Sequence, residues 1–119
     1  MKRILIVDDS ALIRRQVRRI LESQREIEVC AEAENGAEAV QKVGECHPDL
    51  VVLDVIMPVM NGLDAARAIK KLVPGLPVLL FTLDESPEIE RECERAGADA
   101  ILAKAQGTQL SRVIHRLLD

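Results

Sequence analysis

Five short apolar runs alternate with longer amphipathic stretches along the 119 residues, and this alternation limits the fold more than any other feature. The runs are Ile4–Val7, Ile27–Ala33, Leu50–Leu53, Val78–Phe81 and Ala100–Ala103. Leu50-Val51-Val52-Leu53 is apolar throughout, as expected of a strand covered on both faces. The run from Ile27 alternates more, as an edge strand would. Between the runs, apolar residues recur at helical spacing. Ile13, Val17, Ile20 and Leu21 make one such face, and Leu63, Ala66, Ile69 and Leu72 another. Val40 and Val43, then Ile89, Cys93 and Ala96, then Leu110, Val113, Ile114 and Leu117 mark the others.

Local punctuation agrees with this division. Ser10 and Ser86 are candidate N-caps, Asn35-Gly36 turns into a helix, Pro87 suits a first helical position, and Gly97 suits a helix C-terminus. Five strand–helix units predict an α/β fold: a doubly wound, five-stranded parallel sheet of flavodoxin-like type, strand order 2-1-3-4-5. The length fits a single domain over residues 1–119, either a stand-alone chain or part of a longer one.

Composition narrows the function. Sixteen Lys and Arg against twenty Asp and Glu give a net charge of -4, which is no nucleic-acid footprint. One Phe, with no Tyr or Trp, weighs against single-strand binding by base stacking. The sequence therefore predicts no direct nucleic-acid contact. No segment has the length of a membrane span or the form of a signal peptide. Cys30, Cys46 and Cys93 make an odd count without zinc-site spacing and read as small buried thiols in a reducing compartment. The cytoplasm is the expected location.

Ligands of open parallel sheets bind beyond the carboxyl ends of the strands, at the switch in strand order. The first run ends in Asp8-Asp9, the third in Asp54, the fourth in Thr82 and the fifth in Lys104. An Asp at one strand end is commonly only a turn former or cap, and a lone Lys only a solvated side chain. Together, three carboxylates, a hydroxyl and an ammonium on one edge suit phosphoryl chemistry. Close carboxylates repel and cannot all stay ionised unaided, and a hard divalent cation relieves this. Oxygen-only ligands favour Mg²⁺. Thr82 and Lys104 can bind phosphoryl oxygens, and Asp54, alone at its strand end, is the best nucleophile for an aspartyl phosphate.

The same residues resemble a known family. Ile-Val-Asp8-Asp9-Ser, Leu53-Asp54 through Met57-Pro58 to Asn61-Gly62, Phe81-Thr82, Ala96-Gly97-Ala98-Asp99-Ala100 and Leu102-Ala103-Lys104 are similar to the receiver domain of two-component response regulators, including the chemotaxis type. The resemblance spans essentially the whole chain. It implies that Asp54 accepts a phosphoryl group from a phosphohistidine on a sensor histidine kinase or phosphotransfer protein. It implies Mg²⁺ ligation by Asp9, Asp54 and the backbone carbonyl of Ile56, with Asp8 acting mainly through water. It assigns phosphoryl oxygens to Thr82 and Lys104, and a shift of the surface formed by the fourth helix, fifth strand and fifth helix.

Three positions depart from the family pattern. Ile101 stands where an aromatic switch residue is frequent, so Thr82 must couple to Ile101 without a ring. Leu83 follows Thr82 where a small residue is usual and is expected to crowd the site. Ala105, not Pro, follows Lys104, which predicts a trans bond and a different loop. Ile56, two residues after Asp54, offers nothing to orient an attacking water. It therefore predicts a long-lived phosphoryl group and argues against a turnover phosphohydrolase.

Arg14, Arg15, Arg18 and Arg19 form a basic stretch on the first helix, either a solvated face or a docking surface for an acidic phosphotransfer helix. Glu85, Glu88, Glu90, Glu92 and Glu94 make the fourth helix acidic, and His47 and His115 read as incidental. The alternative function is a receiver-like interaction module that is not phosphorylated. The downstream effector, the cognate kinase and a phosphorylation-dependent homodimer are left open by the sequence.

Overall fold

Every apolar run becomes a strand of one parallel sheet in the computed structural model, which describes residues 1–84 and 86–119. The elements follow as β1 (Lys2–Val7), α1 (Ala11–Glu22), β2 (Ile27–Ala33), α2 (Gly36–Cys46), β3 (Leu50–Asp54), α3 (Gly62–Leu72), β4 (Val78–Thr82), α4 (Pro87–Arg95), β5 (Ala100–Ala103) and α5 (Leu110–Leu118). A 3-10 segment, Lys104–Gln109, joins β5 to α5. The strand order is β2-β1-β3-β4-β5, as the alternation predicts.

The sheet carries a core on each face. Ile4, Ile6, Leu50, Val52 and Leu79 meet Val17 and Leu21 of α1 and Leu110, Val113 and Ile114 of α5. Leu5, Val7, Val51, Leu53 and Leu80 meet α2, α3 and α4. All five residues of β3, and all five of β4, are buried. Each buried Ile or Leu side chain contributes about 2 kcal/mol of transfer free energy. The side chains of Ser10, Asn35, Asn61 and Ser86 each accept a backbone N–H in the first turn of the helix they precede. Gly97, at φ +92, follows α4 in the left-handed conformation that a glycine adopts without steric cost.

Some expected faces are narrower. Ile20 is 37% exposed and Leu72 61% exposed, so Val17 and Leu21 anchor α1 while Leu63, Ala66 and Ile69 anchor α3. Cys93 is buried as expected, but Cys30 and Cys46 are only half-buried, and all three are free thiols. Glu85, grouped with the acidic residues of the fourth helix, lies outside the described residues; Glu88, Glu90, Glu92 and Glu94 lie on α4. Among the described residues, no helix is long and apolar enough to cross a membrane.

The edge strand holds a feature that simple alternation misses. Ile4 pairs with Val29 but Leu5 pairs with Ala31, so Cys30 is an extra residue in a β-bulge. Ile27 and Val29 point into the α1/α5 core. Beyond the bulge, Ala31 and Ala33 pack into the opposite core. The bulge exchanges the two faces of β2, and Glu32 thereby faces α1.

Candidate functional site

The carboxyl ends of β1, β3, β4 and β5 bring together the residues picked out by the sequence. Asp8 and Asp54 are buried, while Asp9 beside them is exposed. One carboxylate oxygen from each of Asp8, Asp9 and Asp54 lies within 4.8 Å of the others. Lys104 reaches in from the end of β5. Its Nζ donates to Asp8 Oδ2 at 2.7 Å and lies 3.3 Å from Asp54 Oδ1.

The loop after Asp54 is held by close backbone packing. Gly62 N–H donates to the Val55 carbonyl at 2.7 Å, and a Cβ at Gly62 would lie 1.9 Å from the Asp54 carbonyl oxygen. Gly36, at the start of α2, donates to the Met60 carbonyl at 2.9 Å, where a Cβ would also collide. Two helix starts therefore clamp this loop, and only glycine lets the backbones approach. Met57 is buried and Met60 packs against the core, as filling residues. Between them, Val59 has φ +68, and the Met60 N–H bonds back to the Pro58 carbonyl at 2.8 Å. This is a γ-turn of the rare, strained hand, centred on a β-branched residue that is 85% exposed.

Asp8 is satisfied on every side. Its Oδ1 accepts from Ser10 N–H at 2.9 Å and its own N–H donates to the Ala33 carbonyl at 3.1 Å. Asp54 is less well compensated. Burial and the neighbouring Asp8 charge push its carboxyl up to about 6, against the opposing pull of Lys104 and the Ile56 backbone N–H. Three carboxylates face one ammonium, so full ionisation leaves two negative charges uncompensated. The donors are all oxygens. Charge and donor type both fit Mg²⁺, with the carboxylates of Asp8, Asp9 and Asp54 as the groups to hold it.

Thr82 is buried, and its hydroxyl accepts from the Asp84 N–H at 3.1 Å. It lines a small cavity with Ile101 and Ala103. In the register Thr82 pairs with Ala103 and Ile101 with Leu80, so Thr82 and the aliphatic Ile101 stand diagonally across β4 and β5 and line the same cavity. Leu83 is 78% exposed and stands mostly in solvent, and Ile56 is exposed as well. Among the described residues all peptide bonds are trans, and Ala105 is the second residue of the 3-10 segment that follows β5 in place of a proline turn.

The basic stretch of α1 is not one surface. Arg14 and Arg18 are turned to β2, where their Nε atoms donate to the two oxygens of Glu32 at 2.8 Å each. Arg15 and Arg19 are exposed, and with Ile20, Ala105 and Gly107 they border shallow grooves beside α1. The sequence grouped all four arginines because it does not show the partner Glu32. His115, read as incidental, hydrogen-bonds Glu26 at 2.8 Å far along the chain.

The five-stranded parallel sheet, with the acid cluster and the lysine at its carboxyl edge, defines an α/β protein of the receiver type. The chain matches the response regulator receiver domain over residues 4–115, and it belongs to that family. It is 39% identical to the chemotaxis protein CheY of Thermotoga maritima over 116 residues, covering 98% of this chain and 94% of that one. It is 42% identical to a protein-glutamate methylesterase/protein-glutamine glutaminase of Methanococcoides burtonii over 121 aligned positions, covering 99% of this chain. The match spans only 34% of that relative's length. Among solved structures, the CheX-CheY-BeF3-Mg+2 complex from Borrelia burgdorferi superposes with a TM-score of 0.89 at 26% identity, covering 99% of this chain and 90% of that one.

Proposed function

We propose that the chain is a phospho-acceptor switch in which Asp54 takes a phosphoryl group from a phosphohistidine donor. The observation that carries this reading is the Lys104 ammonium lying between Asp8 and Asp54, with Asp9 completing a triad of carboxylates. A carboxylate oxygen of Asp54 attacks phosphorus. The P–N bond of the donor breaks, its electron pair returns to the imidazole nitrogen, and that nitrogen is protonated. Lys104 and Thr82 receive phosphoryl oxygens, Thr82 after its hydroxyl leaves the Asp84 N–H. Asp8, Asp9, Asp54 and the Ile56 carbonyl would hold Mg²⁺, and the bound cation would offset negative charge on the phosphoryl oxygens.

The switch runs from Thr82 through the cavity it shares with Ile101 and on to the α4-β5-α5 surface. An aliphatic Ile101 couples by filling or vacating the cavity beside Thr82. The exposed Ile56 has no polar atom to orient water, which supports a slowly hydrolysed acyl phosphate over turnover chemistry. The donor is a sensor histidine kinase or phosphotransfer protein that docks a helix with acidic residues beside α1. Arg15 and Arg19 supply charge there, and Leu12 and Ile20 supply exposed apolar area. The methylesterase named in the longer relative lies in a whole protein three times this length and is not assigned to this chain.

Acetyl phosphate with Mg²⁺ should add one phosphoryl group by intact mass to the native chain and none to Asp54→Asn. No adduct on the native chain under those conditions would favour a receiver-fold interaction module that works without phosphate.

A further inference from the structure

Arg14 sits on α1, faces inward, and was grouped with a docking surface by sequence. Its contacts give it a different role. Nη1 donates to the backbone carbonyl of Asp8 at 2.6 Å while Nε donates to Glu32 Oε1 at 2.8 Å. Glu32 is held in turn by Arg18, whose Nε donates to Oε2 at 2.8 Å. The next residue, Ala33, accepts the Asp8 N–H. Both backbone polar atoms of Asp8 are therefore tied to adjacent residues of β2, one directly and one through a guanidinium.

The bulge at Cys30 makes this connection. Without the extra residue, Glu32 would share the face of Glu28 and point away from α1. With it, Glu32 meets Arg14 and Arg18. Burial pushes the Glu32 carboxyl up, but the hydrogen bonds and charges of Arg18 and Arg14 outweigh that and hold it below its usual range.

We infer that Arg14, held by Glu32, is a positioning residue: by anchoring the Asp8 carbonyl to β2 it sets the acid loop for the cation. The inference rests on the Mg²⁺ reading above and goes beyond it. Arg14 bonds the Asp8 backbone carbonyl rather than the carboxylates of the acid cluster, and it acts through that backbone. Lysine is no substitute, because one ammonium on a flexible stem does not reproduce two donors in a fixed plane.

Sign separates positioning from simple charge. Removing a cation beside an acid cluster strengthens Mg²⁺ binding if charge alone matters. Loss of positioning weakens it, by about tenfold as for other outer-sphere partners of metal ligands. Titration calorimetry of metal-free protein should therefore show weaker Mg²⁺ binding in both Arg14→Met and Arg14→Lys. Hydrogen exchange without metal should show faster exchange at Ser10 N–H, which is bonded to the Asp8 carboxylate. Tighter binding in Arg14→Met with native-like binding in Arg14→Lys, or unchanged exchange at Ser10, would overturn the inference. Absence of Mg²⁺ uptake by the native chain would instead sink the metal reading, and the exchange rates would still decide the role of Arg14.

Discussion

Lys104 donates to Asp8 at 2.7 Å and stands 3.3 Å from Asp54, although 96 residues separate it from Asp8 in the chain. All three side chains are almost wholly buried. In the absence of a cation, then, Asp8 holds the ammonium closely and Asp54 is left with the poorer share. Substituting Lys104 by Met removes the partner of a buried carboxylate. Stability in metal-free buffer should fall by about 3 kcal/mol. Saturating Mg²⁺ should recover part of it, because the cation restores positive charge to Asp8 and Asp54. Urea denaturation with and without Mg²⁺ measures both numbers.

Asp54 makes the metal-free fold pH-dependent. Its carboxyl is raised from 3.8 to about 6, so the folded state binds the proton more tightly than the unfolded chain does. The stabilisation is present below about pH 4 and is lost as pH rises to about 6. Above that, burying the ionised group costs up to about 3 kcal/mol. Asp54→Asn should therefore be more stable than the native chain at pH 8 without metal. The gap should close at pH 4 and shrink when Mg²⁺ is added. Equal stabilities at pH 8 would contradict the uncompensated charge.

Val59 stores strain at the tip of the loop after Asp54. A β-branched residue at φ +68 costs roughly 1–3 kcal/mol, and glycine gives back part of that gain through unfolded-state entropy. Val59→Gly should stabilise the protein by about 1 kcal/mol in urea denaturation. The side chain is exposed, so no packing is lost.

Arg15 and Arg19 are exposed, whereas Arg14 and Arg18 are tied to Glu32, and the two pairs should separate by function. Charge reversal of Arg15 and Arg19 to Glu should slow phosphotransfer from a histidine-phosphorylated protein about tenfold at low salt, with the effect shrinking as salt rises. Labelling by acetyl phosphate should be unchanged, because that donor needs no docking. Equal slowing with both donors would mean that the substitutions damage the site itself.

The sheet and the acid cluster were legible because each depends on local pattern. A continuous apolar run marks a buried strand, and the residue at its end is placed by topology alone; Asp8, Asp54, Thr82 and Lys104 all follow from that. What escaped depends on long-range pairing. The bulge at Cys30 comes from the register of β2 on β1, and no run of residues around Cys30 announces it. The four arginines look alike in sequence, and only the turned Glu32 divides them into an inner and an outer pair. Ile20 and Leu72 keep helical spacing but sit at the margins of faces that Leu21 and Ile69 already fill. The left-handed Val59 contradicts its own propensity, held by a loop that Gly36 and Gly62 clamp.

Chemical mapping of the phosphoryl group is the most direct test of Asp54 as acceptor. The chain would be treated with acetyl phosphate and Mg²⁺, reduced with borohydride to convert an aspartyl phosphate to homoserine, digested and sequenced by mass spectrometry. Homoserine should appear at position 54, and nowhere in a sample treated with chelator. Homoserine at position 8 or 9, or its complete absence in a sample whose Mg²⁺ binding has been verified, would contradict the assignment of Asp54.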